Sequence, residues 1–289
     1  MSVIKGVLID LSGTIHIDKK VIPGAIEAIQ RLKASKIPFR FATNTTKVSS
    51  KQLVDKLNAL GFDVEEKEVF TSLSACRDMI KAKQLRPYLI MEDEAMEEFE
   101  GIETTNPNAV VVGLAPSKFN YEKLNEAFRL LSSNPETHLI AVHKARYFAD
   151  KDEKLSMGPG GFVQGILAPS DLPDKCIELT FFKLVALEFA AGVTASTVGK
   201  PTTNFFRLAL EQIDMKNTPQ QVAIIGDDVS NDLGGGAEEL GLHRYLVQTG
   251  KYRPEDSCKS QDLKVFKSVV EAIDHIIAQY SAADRFCQF

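Results

Sequence analysis

Two apolar segments of the chain end in aspartates whose carboxylates could share a metal ion. Asp10 follows the apolar run 3–9, and Asp227 and Asp228 follow the run 222–225 after one glycine. Such runs are typical of buried parallel strands, whose carboxyl ends meet at the sheet edge where ligands bind. Carboxylates that lie close together repel one another unless a cation lies between them, and their oxygens suit Mg²⁺. A lone aspartate after a strand is more often a cap or turn residue, so the interpretation depends on both clusters together.

Two other strand ends carry groups that suit a phosphate. Lys200 follows a short predicted strand at 196–198, where its ammonium could neutralise a phosphate and a carboxylate nucleophile. Thr43 and Asn44 follow a predicted strand at 38–42, and their hydroxyl and amide, with nearby backbone N–H groups, could hold phosphate oxygens. Each group also has an ordinary interpretation, as a surface lysine or as helix N-cap residues.

The elements that must position these groups alternate between short apolar runs and amphipathic segments. The predicted strands lie at residues 3–9, 38–42, 68–71, 88–91, 109–112, 139–142, 196–198, 222–225 and 244–247. The predicted helices lie at residues 23–32, 49–60, 72–83, 94–99, 121–131, 183–191, 205–213 and 265–280. This order predicts an α/β fold with a doubly wound, Rossmann-like parallel sheet.

The middle of the chain does not continue the first run of strands and helices, which indicates an inserted domain. We predict a core domain formed by residues 1–78 and 196–289, and an inserted α/β domain formed by residues 79–195. Two domains are also what a chain of 289 residues favours.

The composition excludes several classes of protein. The chain is 44% hydrophobic and 25% charged, as globular proteins are, and its net charge of −5 argues against a partner that is a nucleic acid. The apolar runs are too short to cross a membrane, and charges interrupt the first of them, so we expect neither a membrane span nor a signal peptide. The four cysteines form no C-x-x-C pair, which indicates free thiols and a cytoplasmic location. They are Cys76, Cys176, Cys258 and Cys287.

Four motifs, taken in chain order, resemble those of the haloacid dehalogenase-like hydrolase superfamily. They are IDLSGT at 9–14, ATN at 42–44, GKP at 199–201 and GDDVSND at 226–232. Each motif is weak alone, but their order and their places after strands are specific together. The insert between the second and third motifs resembles the C2-type cap domain of the NagD-like branch. Three further segments carry the same resemblance: HKARYF at 143–148, GPGGF at 158–162 and TGKYRPED at 249–256.

The resemblance implies a Mg²⁺-dependent phosphatase that forms an aspartyl-phosphate and acts on a small phosphorylated substrate. Asp10 matches the nucleophile, and Lys200 matches the lysine that balances charge beside it and the substrate. Thr43 and Asn44 match phosphate contacts. The implied metal ligands are Asp10, the backbone carbonyl of Ser12 and Asp227, with Asp232, or alternatively Asp228, supporting the metal site.

One position departs from the family pattern, since Ser12 stands where most of these phosphatases have a second aspartate. That aspartate protonates the leaving oxygen, and such assistance is worth about 10²–10⁴-fold in rate. The substrate could therefore have a leaving group that needs little protonation, such as an imidazole nitrogen or pyrophosphate. The alternative is a catalytically weak module that binds phosphate or a protein. The same serine is expected in relatives, one of which is a phosphatase, and this favours an enzyme.

Two alternatives remain open, one for the residue that acts as the acid and one for the type of reaction. His16 or Asp18 could replace the missing acid, although loop residues over the site are the simpler interpretation. A dehalogenase would also use an aspartate nucleophile but no metal, and the acidic cluster at 227–232 disfavours it.

The cap resemblance implies where substrate specificity is determined. The segments 143–147 and 158–161 are candidate specificity loops, and a homodimer formed through the cap is possible in this family. In the relatives the second loop runs almost directly into the helix that matches 183–191. This chain has an additional segment at 164–182, which we predict to be irregular, poorly ordered and without a catalytic role.

Overall fold

The computed structural model describes residues 3–149, 155–163, 187–258 and 262–286. The predicted irregular segment 164–182 lies outside these residues, as do Cys176 and Cys287. Of the other cysteines, Cys76 is buried, Cys258 is exposed, and both are free thiols.

Strands and helices alternate along most of the described chain. The strands are β1 (Gly6–Ile9), β2 (His16–Ile17), β3 (Lys20–Val21), β4 (Phe39–Thr43), β5 (Val69–Thr71), β6 (Pro87–Ile90), β7 (Ala109–Val112), β8 (His138–Ala141), β9 (Tyr147–Ala149), β10 (Leu155–Met157), β11 (Ser196–Thr197), β12 (Val222–Gly226), β13 (His243–Val247) and β14 (Lys264–Phe266). The helices are α1 (Ala25–Ala34), α2 (Ser50–Ala59), α3 (Ser72–Ala82), α4 (Asp93–Met96), α5 (Tyr121–Ser133), α6 (Gly160–Val163), α7 (Leu187–Ala191), α8 (Thr203–Glu211), α9 (Gly236–Glu239) and α10 (Val269–Phe286). Short 3₁₀ helices cover Glu66–Glu68, Glu97–Phe99, Pro219–Gln221 and Pro254–Cys258.

The larger sheet is parallel throughout and has the strand order β14-β13-β12-β1-β4-β5. The chain builds outward from β1 in one direction through β4 and β5, and in the other through β12, β13 and β14. The order therefore reverses between β1 and β12, which is where ligands bind in sheets of this type. This topology confirms the predicted α/β fold with a doubly wound parallel sheet.

Side chains alternate across this sheet and build a separate core on each face. Val7 and Ile9 of β1 pack in the core that includes helices α1, α2 and α10. Leu8 points to the opposite face, into the core that includes α3 and α8. The alternation follows from the two-residue period of a strand. Burial of each such leucine or isoleucine contributes roughly 1.5–3 kcal/mol, so both cores hold the sheet edge rigidly.

The smaller sheet is also parallel and has the strand order β11-β8-β7-β6. Ala109 and Val111 of β7 pack into the core shared with α3 and α8, whereas Val110 and Val112 pack on the other face, toward α5. The strand that precedes Lys200 pairs with β8 of this smaller sheet and not with a strand of the larger one. The boundaries proposed for the two domains stay predictions.

Several elements differ from the sequence predictions, among them the short helices α6 and α9, which were not predicted. Residues 265–266, predicted as the start of the last helix, belong instead to the edge strand β14, which pairs with β13, and the helix begins only at Val269. Two hairpins, β2–β3 and β9–β10, were not predicted. Their strands have only two or three residues, which is too short to show an alternating pattern. Pairing at the edge of a sheet depends on tertiary contacts, which the spacing of hydrophobic residues in the sequence does not reveal.

Within the described ranges, no helix combines the length and the apolar character that crossing a membrane requires.

Candidate functional site

Asp10 lies where the order of the larger sheet reverses. It directly follows β1, it is only 5% exposed, and its backbone N–H donates to the carbonyl of Ile225 on β12 (2.9 Å). The hydroxyl of Thr14 lies 3.4 Å from Asp10 Oδ2. The backbone of two buried strands thus fixes this carboxylate at the carboxyl edge of the sheet, as its sequence position predicts.

Lys200 is a buried ammonium group that joins three parts of the site. It is 1% exposed, and its Nζ donates to Asp10 Oδ1 (2.6 Å), Asp232 Oδ1 (2.6 Å) and the carbonyl of Ala42 (2.8 Å). Burial alone would lower the pKa of Lys200, but the carboxylates of Asp10 and Asp232 outweigh it and raise that pKa above its ordinary value. Lys200 is therefore cationic, and its three N–H bonds are all occupied.

Asn44 positions Lys200 through its backbone. The Asn44 amide accepts from the N–H of Lys200 and donates to its carbonyl, both at 2.9 Å. Gly199 is required beside this pair, because a Cβ there would overlap the Asn44 side chain. The Asn44 side chain, predicted as a phosphate contact, thus carries a positioning role that sequence reasoning missed.

Thr43 ends β4, is buried, and lines the same cavity as Asp10. Its hydroxyl lies 3.0 Å from that of Thr45 and accepts from the N–H of Thr45 (3.3 Å). The hydroxyl pair sits where a phosphate contact is predicted, and that role stays a prediction.

Asp227 follows β12 and is enclosed by two glycines. Its Oδ2 accepts from the backbone N–H of Lys251 (2.7 Å), and a Cβ at Gly13 or Gly250 would overlap that oxygen. Both glycines have positive φ, +94° and +59°. Burial, together with the charges of Asp232 and Asp10, raises the pKa of Asp227 well above its ordinary value. The carboxylate is thus held in one orientation in which its negative charge is poorly compensated.

Asp232 and Asp228 have different roles, although they lie in one loop. Asp232 is 4% exposed, and burial with the Asp10 charge raises its pKa to about 6 despite the Lys200 ammonium. Asp228 accepts from the backbone N–H groups of Ser230 and Asn231 at 3.0 and 2.9 Å. Burial opposes the shift, but Lys251 and Asn231 hold the pKa of Asp228 below its ordinary value.

Three of these carboxylates could hold one metal ion. Asp10, Asp227 and Asp232 each offer an oxygen, and these oxygens lie within 4.8 Å of one another. Opposite ligands around Mg²⁺ with bonds of about 2.1 Å are separated by about 4.2 Å, so the spacing fits. Three carboxylates and one ammonium leave two uncompensated negative charges, which a divalent cation would neutralise. Asp228, the alternative ligand, is not part of this group among the described residues.

A cavity of about 740 Å³ opens in front of these acids. One wall is formed by the acids and Lys200, and another by the apolar side of α2. Leu114, His143, Ala145 and Tyr147, which lie beyond strands of the smaller sheet or on β9, also line the cavity. Cavities of this volume accommodate a small organic ligand.

Thr46 connects the loop after β4 to the smaller sheet. Its hydroxyl accepts from the N–H of Leu114 (3.0 Å) and lies 3.3 Å from Nε2 of His143. The N–H of Ala145 donates to Nδ1 of His143 (3.3 Å), so the neutral ring carries its proton on Nε2 and donates to Thr46. Burial, and then the charges of Lys251 and Lys200, lower the pKa of His143 to about 3.

The two candidate specificity loops pack against each other. His143 and Tyr147 of the first loop line the cavity, whereas Lys144 binds Glu188 (2.7 Å). The N–H of Gly158 donates to the carbonyl of Arg146 (2.9 Å), so the second loop supports the first one from behind. Their role in specificity stays a prediction.

Ser12, which stands where most of these phosphatases have an aspartate, faces the same cavity. Ser12, His16 and Asp18 all line it, and Ser12 is exposed. His16 Nδ1 lies 2.9 Å from the carbonyl of Asp18, so a neutral ring donates from Nδ1, and burial lowers the pKa of His16. The hairpin β2–β3 therefore places the replacement candidates over the site, without assigning the acid to either.

Lys251 is a further site residue, to which the sequence analysis assigned no role. It lines the cavity, and its Nζ donates to Asp228 Oδ2 (3.0 Å). The signal available in the sequence was its place shortly after a parallel strand, β13, whose carboxyl end reaches the same edge as β1 and β12.

Comparisons with known proteins agree with the motifs and the fold. The sequence model of a family described as "Haloacid dehalogenase-like hydrolase" matches residues 7–105, and that of a family described as "HAD-hyrolase-like" matches residues 197–272. The chain is 44% identical to haloacid dehalogenase-like hydrolase domain-containing protein 2 of Bos taurus over 276 residues, which cover 95% of this chain and 96% of that protein. It is 36% identical to the phospholysine phosphohistidine inorganic pyrophosphate phosphatase of Danio rerio, over 88% of this chain and 87% of that protein.

The fold also resembles that of solved NagD-like structures. NagD from E. coli K-12 aligns with a TM-score of 0.73 over 93% of this chain and 98% of that one, at 21% identity. At this identity the likeness concerns the fold alone, which agrees with the NagD-like branch predicted from the motifs.

Proposed function

Since this chain belongs to the haloacid dehalogenase-like hydrolase family, we propose that it is a Mg²⁺-dependent phosphatase in which Asp10 forms an aspartyl-phosphate. The observation that supports this best is the buried group of Asp10, Asp227, Asp232 and Lys200 at the sheet edge, open to one cavity. A carboxylate beside an ammonium and an uncompensated acidic pair suits attack on a phosphoryl group.

The metal site would use residues that already carry excess negative charge. Asp10, Asp227 and the backbone carbonyl of Ser12 would hold the ion, and Asp232 would support the site while it binds Lys200. When bound, Mg²⁺ supplies charge stabilisation to the phosphoryl oxygens. Lys200 limits the repulsion between Asp10 and Asp232, because its ammonium binds both carboxylates at 2.6 Å.

The reaction would proceed in two displacements at phosphorus. An oxygen of Asp10 attacks phosphorus, the bond to the leaving group breaks, and the leaving group departs with the electron pair. Water then attacks phosphorus, which releases inorganic phosphate and restores the Asp10 carboxylate. Thr43, with neighbouring backbone N–H groups, would orient the phosphoryl oxygens, and Asn44 would keep Lys200 in place.

The substrate class follows from the serine at position 12. A leaving group that is stable without protonation needs no help from an acid, which favours phosphohistidine and pyrophosphate. The printed name of the Danio rerio relative supports the same class, since it includes phospholysine, phosphohistidine and inorganic pyrophosphate. Preference for a sugar phosphate would contradict this part of the proposal.

The experiment is a turnover assay with 4-nitrophenyl phosphate, followed by phosphohistidine, phospholysine, pyrophosphate and sugar phosphates. We expect hydrolysis that requires Mg²⁺, stops with EDTA and disappears in Asp10→Asn. Asp55→Asn is the matched control, because Asp55 is exposed and lies outside both the cavity lining and the buried acidic group.

Each other outcome of this assay contradicts the proposal. Binding of phosphate without turnover of any substrate would indicate the binding-module alternative. Activity that is insensitive to EDTA would indicate metal-free chemistry, as in a dehalogenase.

A further inference from the structure

Lys251 reaches the acidic cluster with both its backbone and its side chain. Its N–H fixes Asp227 Oδ2 at 2.7 Å, and its Nζ donates to Asp228 Oδ2 at 3.0 Å. The side chain is 21% exposed and lines the cavity, so its free part faces the space that a substrate would fill. The backbone contact fixes where the side chain begins, and the bond to Asp228 holds the ammonium at the acidic cluster.

The two lysines of the site differ in the donors that remain for a substrate. An ammonium group has three N–H bonds. Lys200 uses all three, on Asp10, Asp232 and the carbonyl of Ala42. For Lys251, the one acceptor found among the described residues is Asp228, so two N–H bonds remain. Of the two, Lys251 is the lysine that can donate to a substrate without breaking an existing contact.

Lys251 lines the same cavity as Asp10, and a leaving group must depart into this cavity. In phosphoryl transfer the attacking and leaving oxygens are roughly in line with phosphorus. Attack by Asp10 from the sheet edge therefore directs the leaving group away from Asp10 and into the cavity that Lys251 also lines. The positive charge of Lys251 affects both His143 and Asp227. It contributes to the lowered pKa of His143, and it counteracts the rise in the pKa of Asp227.

We propose that Lys251 is a further catalytic residue, whose ammonium donates a hydrogen bond to the leaving-group oxygen as its bond to phosphorus breaks. The bond to Asp10 forms while that bond breaks, and the electron pair goes to the leaving oxygen. Lys251 keeps its proton, and the leaving anion takes its proton from water. This hydrogen bond stabilises the negative charge on the leaving oxygen. An aspartate at position 12 would instead neutralise that charge by supplying a proton. This inference rests on the proposed function.

The test measures how the loss in a Lys251 variant depends on the leaving group. Wild type, Lys251→Met and Lys251→Arg are assayed at saturating Mg²⁺ with 4-nitrophenyl phosphate, phenyl phosphate and an alkyl phosphate. Lys216→Met is the matched control, because Lys216 also binds one carboxylate, Glu211, but is exposed and lies outside the cavity. The three substrates differ in how well the departing oxygen bears a negative charge.

We expect the kcat/KM loss in Lys251→Met to be small for 4-nitrophenyl phosphate and to rise to about 10²-fold or more for the alkyl phosphate, the size typical of a lost oxyanion donor. Lys251→Arg should keep most of the activity with each substrate, and Lys216→Met should match wild type. A merely structural role would lower all three rates by one factor. The slope of rate against leaving-group stability therefore separates the two roles.

A loss that is equal for all substrates, or no loss, overturns the proposal. A loss that disappears when Mg²⁺ is raised further also overturns it, because Lys251 would then act only on the metal site. If Lys251→Met does not fold, Lys251→Gln keeps a hydrogen-bond donor without the charge and should show the same slope. Wild-type turnover that depends on Mg²⁺ and Asp10 establishes the proposed function separately. If wild type hydrolyses none of the three, that function and this inference both fail.

Discussion

The Nζ atom of Lys200 lies 2.6 Å from Oδ1 of Asp10, although 190 residues separate the two in the chain. Asp10 follows a central strand of the larger sheet, whereas Lys200 follows a strand of the smaller sheet. The contact therefore requires both sheets in their observed arrangement. It also means that removal of either charge affects the stability of the fold as well as the chemistry.

Substitution of Lys200 by methionine should abolish activity and destabilise the protein. The change leaves the carboxylates of Asp10 and Asp232 buried without their counter-ion, which typically costs about 3–5 kcal/mol. Urea denaturation measures the loss. The double variant Lys200→Met with Asp232→Asn should recover part of the stability but no activity. Lys216→Met, which breaks an exposed pair, should cost no more than about 1 kcal/mol. Equal losses in the two methionine variants would contradict the buried pairing.

An alanine at Gly250 should disrupt the acidic cluster in a way that an alanine at Gly192 does not. Both glycines have positive φ, +59° and +66°, so both substitutions strain the backbone similarly. A Cβ at position 250 would overlap Asp227 Oδ2, whereas a Cβ at position 192 has no neighbour within 4 Å. We expect Gly250→Ala to weaken Mg²⁺ binding, measured by calorimetry, and Gly192→Ala to leave it unchanged. Similar Mg²⁺ affinities in both variants would show that Asp227 is not confined as described.

Substitution of Thr46 by valine should loosen the contact between the two sheets. The change keeps the shape but leaves the N–H of Leu114 and Nε2–H of His143 without their acceptor. Each unsatisfied buried donor costs about 1–3 kcal/mol, so thermal unfolding should occur several degrees lower. Ser133→Ala is the control, since its exposed hydroxyl bonds only the carbonyl of Leu130 within its own helix. An unchanged midpoint in Thr46→Val would argue against a buried link at this position.

Acid should destabilise the protein through His143. The folded pKa of this ring is lowered to about 3 from its ordinary value of 6.5, so below pH 6.5 the unfolded chain binds a proton that the folded chain does not. This contribution to stability is complete above about pH 6.5 and is lost as the pH falls from there toward 3. At pH 5 the loss is about 2 kcal/mol, at ~1.4 kcal/mol per pH unit.

The variant His143→Gln isolates this contribution, because glutamine keeps polar atoms but does not titrate. Urea midpoints at pH 7 and pH 5 are compared for both proteins, and wild type should lose more stability than the variant. The carboxylates contribute equally to both proteins and cancel in the comparison. Parallel losses would mean that His143 is protonated in the folded state.

The sequence predicts the strand ends of this site better than the contacts between them. Asp10 and Asp227 were located correctly at the sheet edge because a buried parallel strand leaves a clear apolar run. The strand before Lys200 was also predicted, but which sheet it joins depends on pairing partners that are distant in the chain. The place of Lys251 after a parallel strand was the one signal for that residue, and Thr46 gave none, because the contacts of both residues form only through tertiary packing.

The central claim is that Asp10 carries the phosphoryl group during turnover, and rapid acid quenching tests it most directly. The enzyme is mixed with 4-nitrophenyl phosphate and Mg²⁺, quenched within the first turnover, digested and analysed by mass spectrometry. We predict one added phosphoryl group on the peptide that contains Asp10, sensitive to hydroxylamine and missing in Asp10→Asn and in samples with EDTA. Turnover by wild type with no phosphoryl group on this peptide, or with the group on another residue, would contradict the account.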